Sequence, residues 1–154
     1  MHVRIISALV TCVALSACVE KSKSLSKADQ DKVAQIVSRT RPTPEHPLDI
    51  EFEGKLRLLG YDLDTETATE GKPFVVTWYW EVVAPLGEGW KIFTHLADAA
   101  RKSRINLDAT RAVRRLVPED TWKKGDFIKD AQEVTLPRDW NSPQAVFFLG
   151  FYEG

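Results

Sequence analysis

Hydrophobic and polar positions change their period along the chain, and each change predicts a different element. Ile5, Ile6, Ala8, Leu9, Val10, Val13, Ala14 and Leu15 make a mainly apolar stretch, and no acidic side chain occurs before Glu20. From Ser26 the pattern turns helical. Val33, Ile36 and Val37 recur at helical spacing with Ala28 and Lys32 nearby, Ser26 suits the cap and Asp29 the first turn, so a helix is expected over about 27–39. The segment Arg41-Pro42-Thr43-Pro44-Glu45-His46-Pro47 then removes amide donors and biases its neighbours to extended conformations, which predicts a semi-rigid linker.

After Pro47 the period is two. The clearest strand is Phe74 to Val83: Phe74, Val76, Trp78, Trp80 and Val82 form an all-apolar row, while Val75, Thr77, Tyr79, Glu81 and Val83 form a mixed one. That contrast marks a strand with one side in a core. Weaker alternation runs through Ile50 to Leu63, Trp90 to Ala97, Phe127 to Leu136 and Ala145 to Tyr152. In the first of these the phase slips near Gly60, as a bulge would produce. The last is apolar on both faces and is expected to be a central strand. No alternation survives between Asn106 and Thr121, which predicts a long loop, with room for a helical turn. The fold class that follows is mainly β: an antiparallel β-sandwich, Ig-like or jelly-roll-like, preceded by one short N-terminal helix.

The first residues suggest an address. A basic start at Arg4, a short apolar core and small residues before a cysteine are the layout of a signal peptide. As a helix, Ile5 to Leu15 would cover only about 17 Å, roughly half the thickness of a bilayer's hydrocarbon core. Leu15-Ser16-Ala17-Cys18 resembles the lipobox of bacterial lipoproteins. The resemblance implies that residues 1–17 are cleaved and that Cys18 carries lipid, anchoring the protein to a membrane. Val19 stands where an aspartate resembles an inner-membrane retention signal, which favours the outer membrane, facing the periplasm. Residues 18–47 then form a lipidated tether, short helix and linker, and residues 48–154 the β-sandwich domain.

Charge and cysteine content narrow the picture. Loss of residues 1–17 removes Arg4 and Cys12, leaving 20 basic against 22 acidic side chains, so no basic excess points to nucleic acid. With the Cys18 sulfur acylated, no thiol remains to form a disulfide, and the core alone must stabilise the domain. Arg101, Lys102, Arg104, Arg111, Arg114 and Arg115 cluster along the chain; they form either a solvated face or a surface for an anionic lipid or polysaccharide.

Residues of about 52–152 resemble a β-sandwich module of bacterial envelope proteins, also found as the soluble domain of some mannosyltransferase-type membrane glycosyltransferases. The matching pieces are Leu59-Gly60-Tyr61-Asp62, Gly71-Lys72-Pro73-Phe74, Thr77-Trp78-Tyr79-Trp80 and Ile92-Phe93-Thr94-His95-Leu96-Ala97-Asp98. Trp122-Lys123-Lys124-Gly125-Asp126 with Asp130, Leu136-Pro137 and Gly150-Phe151-Tyr152-Glu153 continue the series. Glu153 stands where that module more often has an aspartate, and Ala99-Ala100 where it has a glycine turn. The resemblance implies an accessory module without transferase chemistry.

Candidate chemistry is sparse. His95, Asp98, Asp108 and Asp130 are of the types that ligate divalent ions or exchange protons, but His95 and Asp98 are three apart, on opposite faces of a strand. Trp90, Trp122 and Trp140 are either glycan-stacking indoles or core material. His95, Asp98, Asp130, Trp90 and Trp122 are therefore the candidate binding residues, with no cofactor or metal implied. The expected function is a non-catalytic, membrane-anchored envelope lipoprotein that binds an envelope protein or a glycan. The alternative is a small carboxylate- or metal-dependent enzyme acting on envelope glycans.

Overall fold

A computed structural model of the chain describes residues 25–108 and 112–154. The signal segment and Cys18 lie outside the described residues. The chain is mainly β, with two antiparallel sheets and a helix near its N-terminal end. In order, the elements are helix α1 (Lys27–Ile36), β1 (Val37–Ser38), β2 (His46–Phe52), β3 (Leu56–Leu63), β4 (Pro73–Val82), β5 (Trp90–Asp98) and β6 (Arg104–Asn106). A short helix α2 (Ala112–Leu116), a 3-10 turn (Glu119–Thr121), β7 (Phe127–Thr135) and β8 (Ala145–Glu153) follow. One sheet has the order β1-β7-β4-β3-β2 and the other β6-β5-β8.

Helix α1 starts where the cap signal stands. The Ser26 hydroxyl accepts from the Asp29 amide at 3.1 Å. It stops at Ile36, before the expected end near 39, because Val37 and Ser38 pair with Ile128 and Phe127 of β7. A β ladder thus takes over from the last helical turn, and Ile36 enters the core. The proline segment after it is held on the larger sheet. Arg41 pairs with Glu81 at 2.9 Å, the Glu45 amide donates to Asp62 Oδ1 at 2.7 Å, and the His46 ring stacks on Tyr61 with centroids 4.7 Å apart. β2 begins inside this segment, at His46.

The stretch Ile50–Leu63 is two strands joined by a tight turn. Glu53 and Gly54 both have positive φ, and the Lys55 amide donates to the Phe52 carbonyl at 2.9 Å, the arrangement of a primed hairpin turn that matches strand twist. The phase slip at Gly60 is a true bulge, since the β3–β4 register breaks between Leu58 and Gly60. At φ +151, Gly60 also lets the chain of β2 pass close by. A Cβ there would run into the His46 carbonyl oxygen and come within 2.8 Å of Pro44 Cβ.

β4 behaves as its two rows require. Phe74, Val76, Trp78, Trp80 and Val82 are all buried and join Ile92 and Leu96 of β5 in one cluster between the sheets. On its other face, Tyr79 Oη donates to Asp62 Oδ2 at 2.6 Å. Burial, then this bond to a carboxylate, pushes the Tyr79 phenol up to about 12. The folded state therefore holds that proton more tightly than the unfolded chain, whose tyrosines ionise near about 10. The stabilisation is complete below that value and is lost as pH rises toward 12. An alkaline titration followed by phenolate absorbance should show a step near pH 12 that Tyr79→Phe removes; a step that persists in the variant would refute the assignment.

The region between β6 and β7 closes one end of the two-sheet core. Val113, Leu116, Val117 and Trp122 are buried there, and the Trp122 indole N–H donates to the Val117 carbonyl at 2.8 Å. The expectation for β8 is overturned. Among the described residues it pairs only with β5, so it is an edge strand and not a central one. Its inner row packs on the core, while Val146 and Tyr152 remain 41% and 40% exposed. Periodicity saw two apolar faces correctly, but among the described residues no further layer covers the outer one.

Candidate functional site

The two sheets differ in how their edges are finished. On the β6 side of β5, side chains complete the ladder beyond the short β6. The Ile92 carbonyl accepts from Arg114 Nη2 at 3.0 Å, the Ile92 amide faces Glu119 Oε1 at 3.4 Å, and the Thr94 amide donates to Asp108 Oδ1 at 2.7 Å. β2, one edge of the larger sheet, carries guards of another kind: Pro47 and the acids Asp49 and Glu51, which pair with Arg57 at 3.5 and 3.1 Å. β8 carries none of these devices. From Ala145 to Tyr152 it has no charged residue and no proline.

These two edges lie on the same side of the core, and a cleft of about 660 Å³ opens between them. One wall is the row Leu48, Ile50 and Phe52 of β2, and the other is β8 from Ala145 to Leu149. Its floor includes Trp78, which meets Tyr61 at 5.5 Å and Phe147 edge-on at 5.2 Å. Leu48 and Ile50 are exposed at 39% and 45%, although they belong to an otherwise apolar surface. A second hollow of about 360 Å³ continues past Leu63 and Phe147 toward Thr67, Glu70 and Gln144, so the cleft gains polar groups at one end. The Trp78 indole N–H donates to Gln132 Oε1 at 2.9 Å, and Gln132 Nε2 donates to the Leu107 carbonyl at 3.2 Å. The floor is thereby tied to β7 by a buried polar link.

The residues singled out from sequence do not converge. Asp98 ends β5 and its carboxylate accepts from the Lys102 and Ser103 amides, each at 2.9 Å, so it shapes the β5–β6 turn. The bond from the Lys102 amide foremost holds its pKa below the ordinary carboxylate value. Asp130 is fully buried on β7, opposite Trp78 in the ladder. His95 lies on the outer face of the smaller sheet, half-buried beside Phe93 at 5.1 Å. Asp108 serves β5 as described above. Among the described residues no group of three His, Cys, Asp or Glu side chains is placed to hold a metal ion.

The tryptophans divide differently. Trp122 and Trp140 are core residues, and Trp90 is half-buried, stacked on Phe151 at 4.4 Å with Lys55 Nζ 4.0 Å above its ring. The cleft residues Leu48, Ile50 and Val146 were missed by sequence reasoning. The available signal was the uncharged run of Ala145–Tyr152, which is unusual for a strand that ends up at an edge. No helix among the described residues is long and apolar enough to cross a membrane.

No family model matches this chain, and no curated protein does.

Proposed function

We infer that this chain is a non-catalytic envelope lipoprotein, held on the outer membrane through lipid on Cys18, whose domain docks an extended segment of another envelope protein along the β2–β8 cleft. One observation carries this reading: an unguarded edge strand borders an apolar cleft, whereas the β2 edge facing it and the β6 side of β5 are finished with a proline, ion pairs or side-chain bonds. A bare, apolar edge invites pairing with another chain. Strand addition uses main-chain bonds for affinity and pockets for alternate side chains for selectivity. The β8 edge supplies the first, and the Leu48–Ile50–Phe52 wall supplies the second. In this reading the two sheets form a sandwich of the Ig-like or jelly-roll-like type, and the resemblance to soluble modules of envelope proteins is one of accessory role. Residues 19–47 set the reach from the membrane.

The test is site-specific photocrosslinking in the native envelope from Ile50, from Val146 and, as control, from Glu133, an exposed position on β7. Ile50 and Val146 should crosslink to one and the same protein, and Glu133 should not. Ile50→Lys should abolish the Val146 crosslink with little change in stability, because position 50 is solvent-exposed. Cys18→Ala should release the protein from the membrane fraction. Equal labelling from all three positions, or different partners from Ile50 and Val146, would sink the docking reading.

A further inference from the structure

The outer face of the smaller sheet is a second surface, which shares Phe148 and Leu149 of β8 with the cleft, and its chemistry differs. We propose that it binds an acidic saccharide, with a sugar ring on the Phe93 and Phe148 side chains and its carboxylate or phosphate held between Arg101 and Arg104. A hollow of about 440 Å³ lies there, lined by these four residues with His95. Phe93 is directly opposite Gly150 in the β5–β8 ladder, and any side chain at 150 would occupy the volume of the Phe93 ring. The missing side chain lets that ring lie across the sheet as a platform. His95 is paired with Phe148 in the next row, and the Arg101 guanidinium sits 5.1 Å from the Phe148 ring centroid.

Charge points the same way. No carboxylate lines this hollow, and neither Arg101 nor Arg104 has a carboxylate partner among the described residues. Asp98, the nearest acid in sequence, is turned into the backbone amides of residues 102 and 103. Two guanidiniums beside aromatic rings, one of them over Phe148, with no acid in the hollow, match an anion carried on a ring with an apolar face. The turn holds Arg101 at φ +57, a conformation that a long side chain seldom adopts. Glycine would fit the backbone better, so replacing Arg101 by glycine removes the head group without straining the turn. A membrane surface is the weaker fit, because headgroup attraction uses clusters of four to eight cations on an open face, not two beside a hollow.

The mature acylated chain in detergent would be titrated calorimetrically with a galacturonic acid trimer, with the neutral galactose trimer, and with anionic phospholipid vesicles. The acidic trimer should bind, more weakly as salt rises, and at least about ten times more tightly than the neutral one. Arg104→Gln and Arg101→Gly should each weaken it about tenfold, and Phe148→Leu should weaken it as well. Arg101→Gly should do so without lowering the melting temperature, since it relieves the turn; that separates a lost ligand contact from a damaged fold. No binding of the acidic trimer, equal binding of the neutral trimer, unchanged affinity in both arginine variants, or preference for the vesicles would each overturn the proposal.

Discussion

Gly60→Ala should destabilise this protein by on the order of 3 kcal/mol, from overpacking together with an unfavourable φ. Gly60 has φ +151, and its missing Cβ leaves room for the His46 carbonyl and the Pro44 ring. A methyl group there cannot be accommodated by swinging a side chain, because one of the atoms it meets is backbone. β2 must move away from β3, or the bulge must be undone, and either disturbs the wall of the cleft that β2 provides. Gly54→Ala is the matched control. Gly54 also has positive φ, +65, but nothing lies within 4 Å of its would-be Cβ. It should lose only about 1 kcal/mol, the conformational part alone. Denaturant midpoints of the two variants measure the difference. Equal losses would mean that the contact with β2 contributes nothing. Against a typical total of about 5–15 kcal/mol the Gly60 variant remains folded but fragile.

The second large effect is expected at Gln132→Leu, a change of similar volume in a residue with no exposed surface. It removes the acceptor of the Trp78 indole N–H and leaves that donor buried, at a cost of about 2 kcal/mol. The penalty belongs to the pair and not to the glutamine. In a Trp78→Phe background, which has no donor to strand, the same substitution should cost about 1 kcal/mol less. A double-mutant cycle by chemical denaturation gives the coupling directly, and a coupling near zero would show that the indole finds another acceptor. Because Trp78 floors the cleft, Gln132→Leu should also loosen docking at Ile50 and Val146 while leaving the outer arginine face unaffected.

Both predictions concern residues whose roles were only half legible in the sequence. Loss of alternation at Gly60 revealed a bulge, and the ladder confirms it, but nothing local said that the β2 backbone would pass against that glycine. The apolar row of β4 marked its buried side, and all five members are buried. Gln132, sitting in the weaker alternation of β7, gave no sign that it would carry a buried polar link. Its partners are 54 and 25 residues away, at Trp78 and Leu107.

What the sequence determined by itself was therefore local: the helix start at Ser26, strands β4, β5, β7 and β8 near their observed positions, the irregular stretch before β7 and the mainly β class. Side-chain period and cap chemistry act over a few residues, so they can be read without knowing the fold. Tertiary structure decided the rest. Strand order turned Ala145–Glu153 from an expected centre into an edge, put His95 and Asp98 to separate uses, and sent Trp122 inward. It also set β2 and β8 on either side of a cleft. Periodicity reports that a face is apolar, but whether that face meets a second sheet, a partner or water depends on which distant strands become its neighbours.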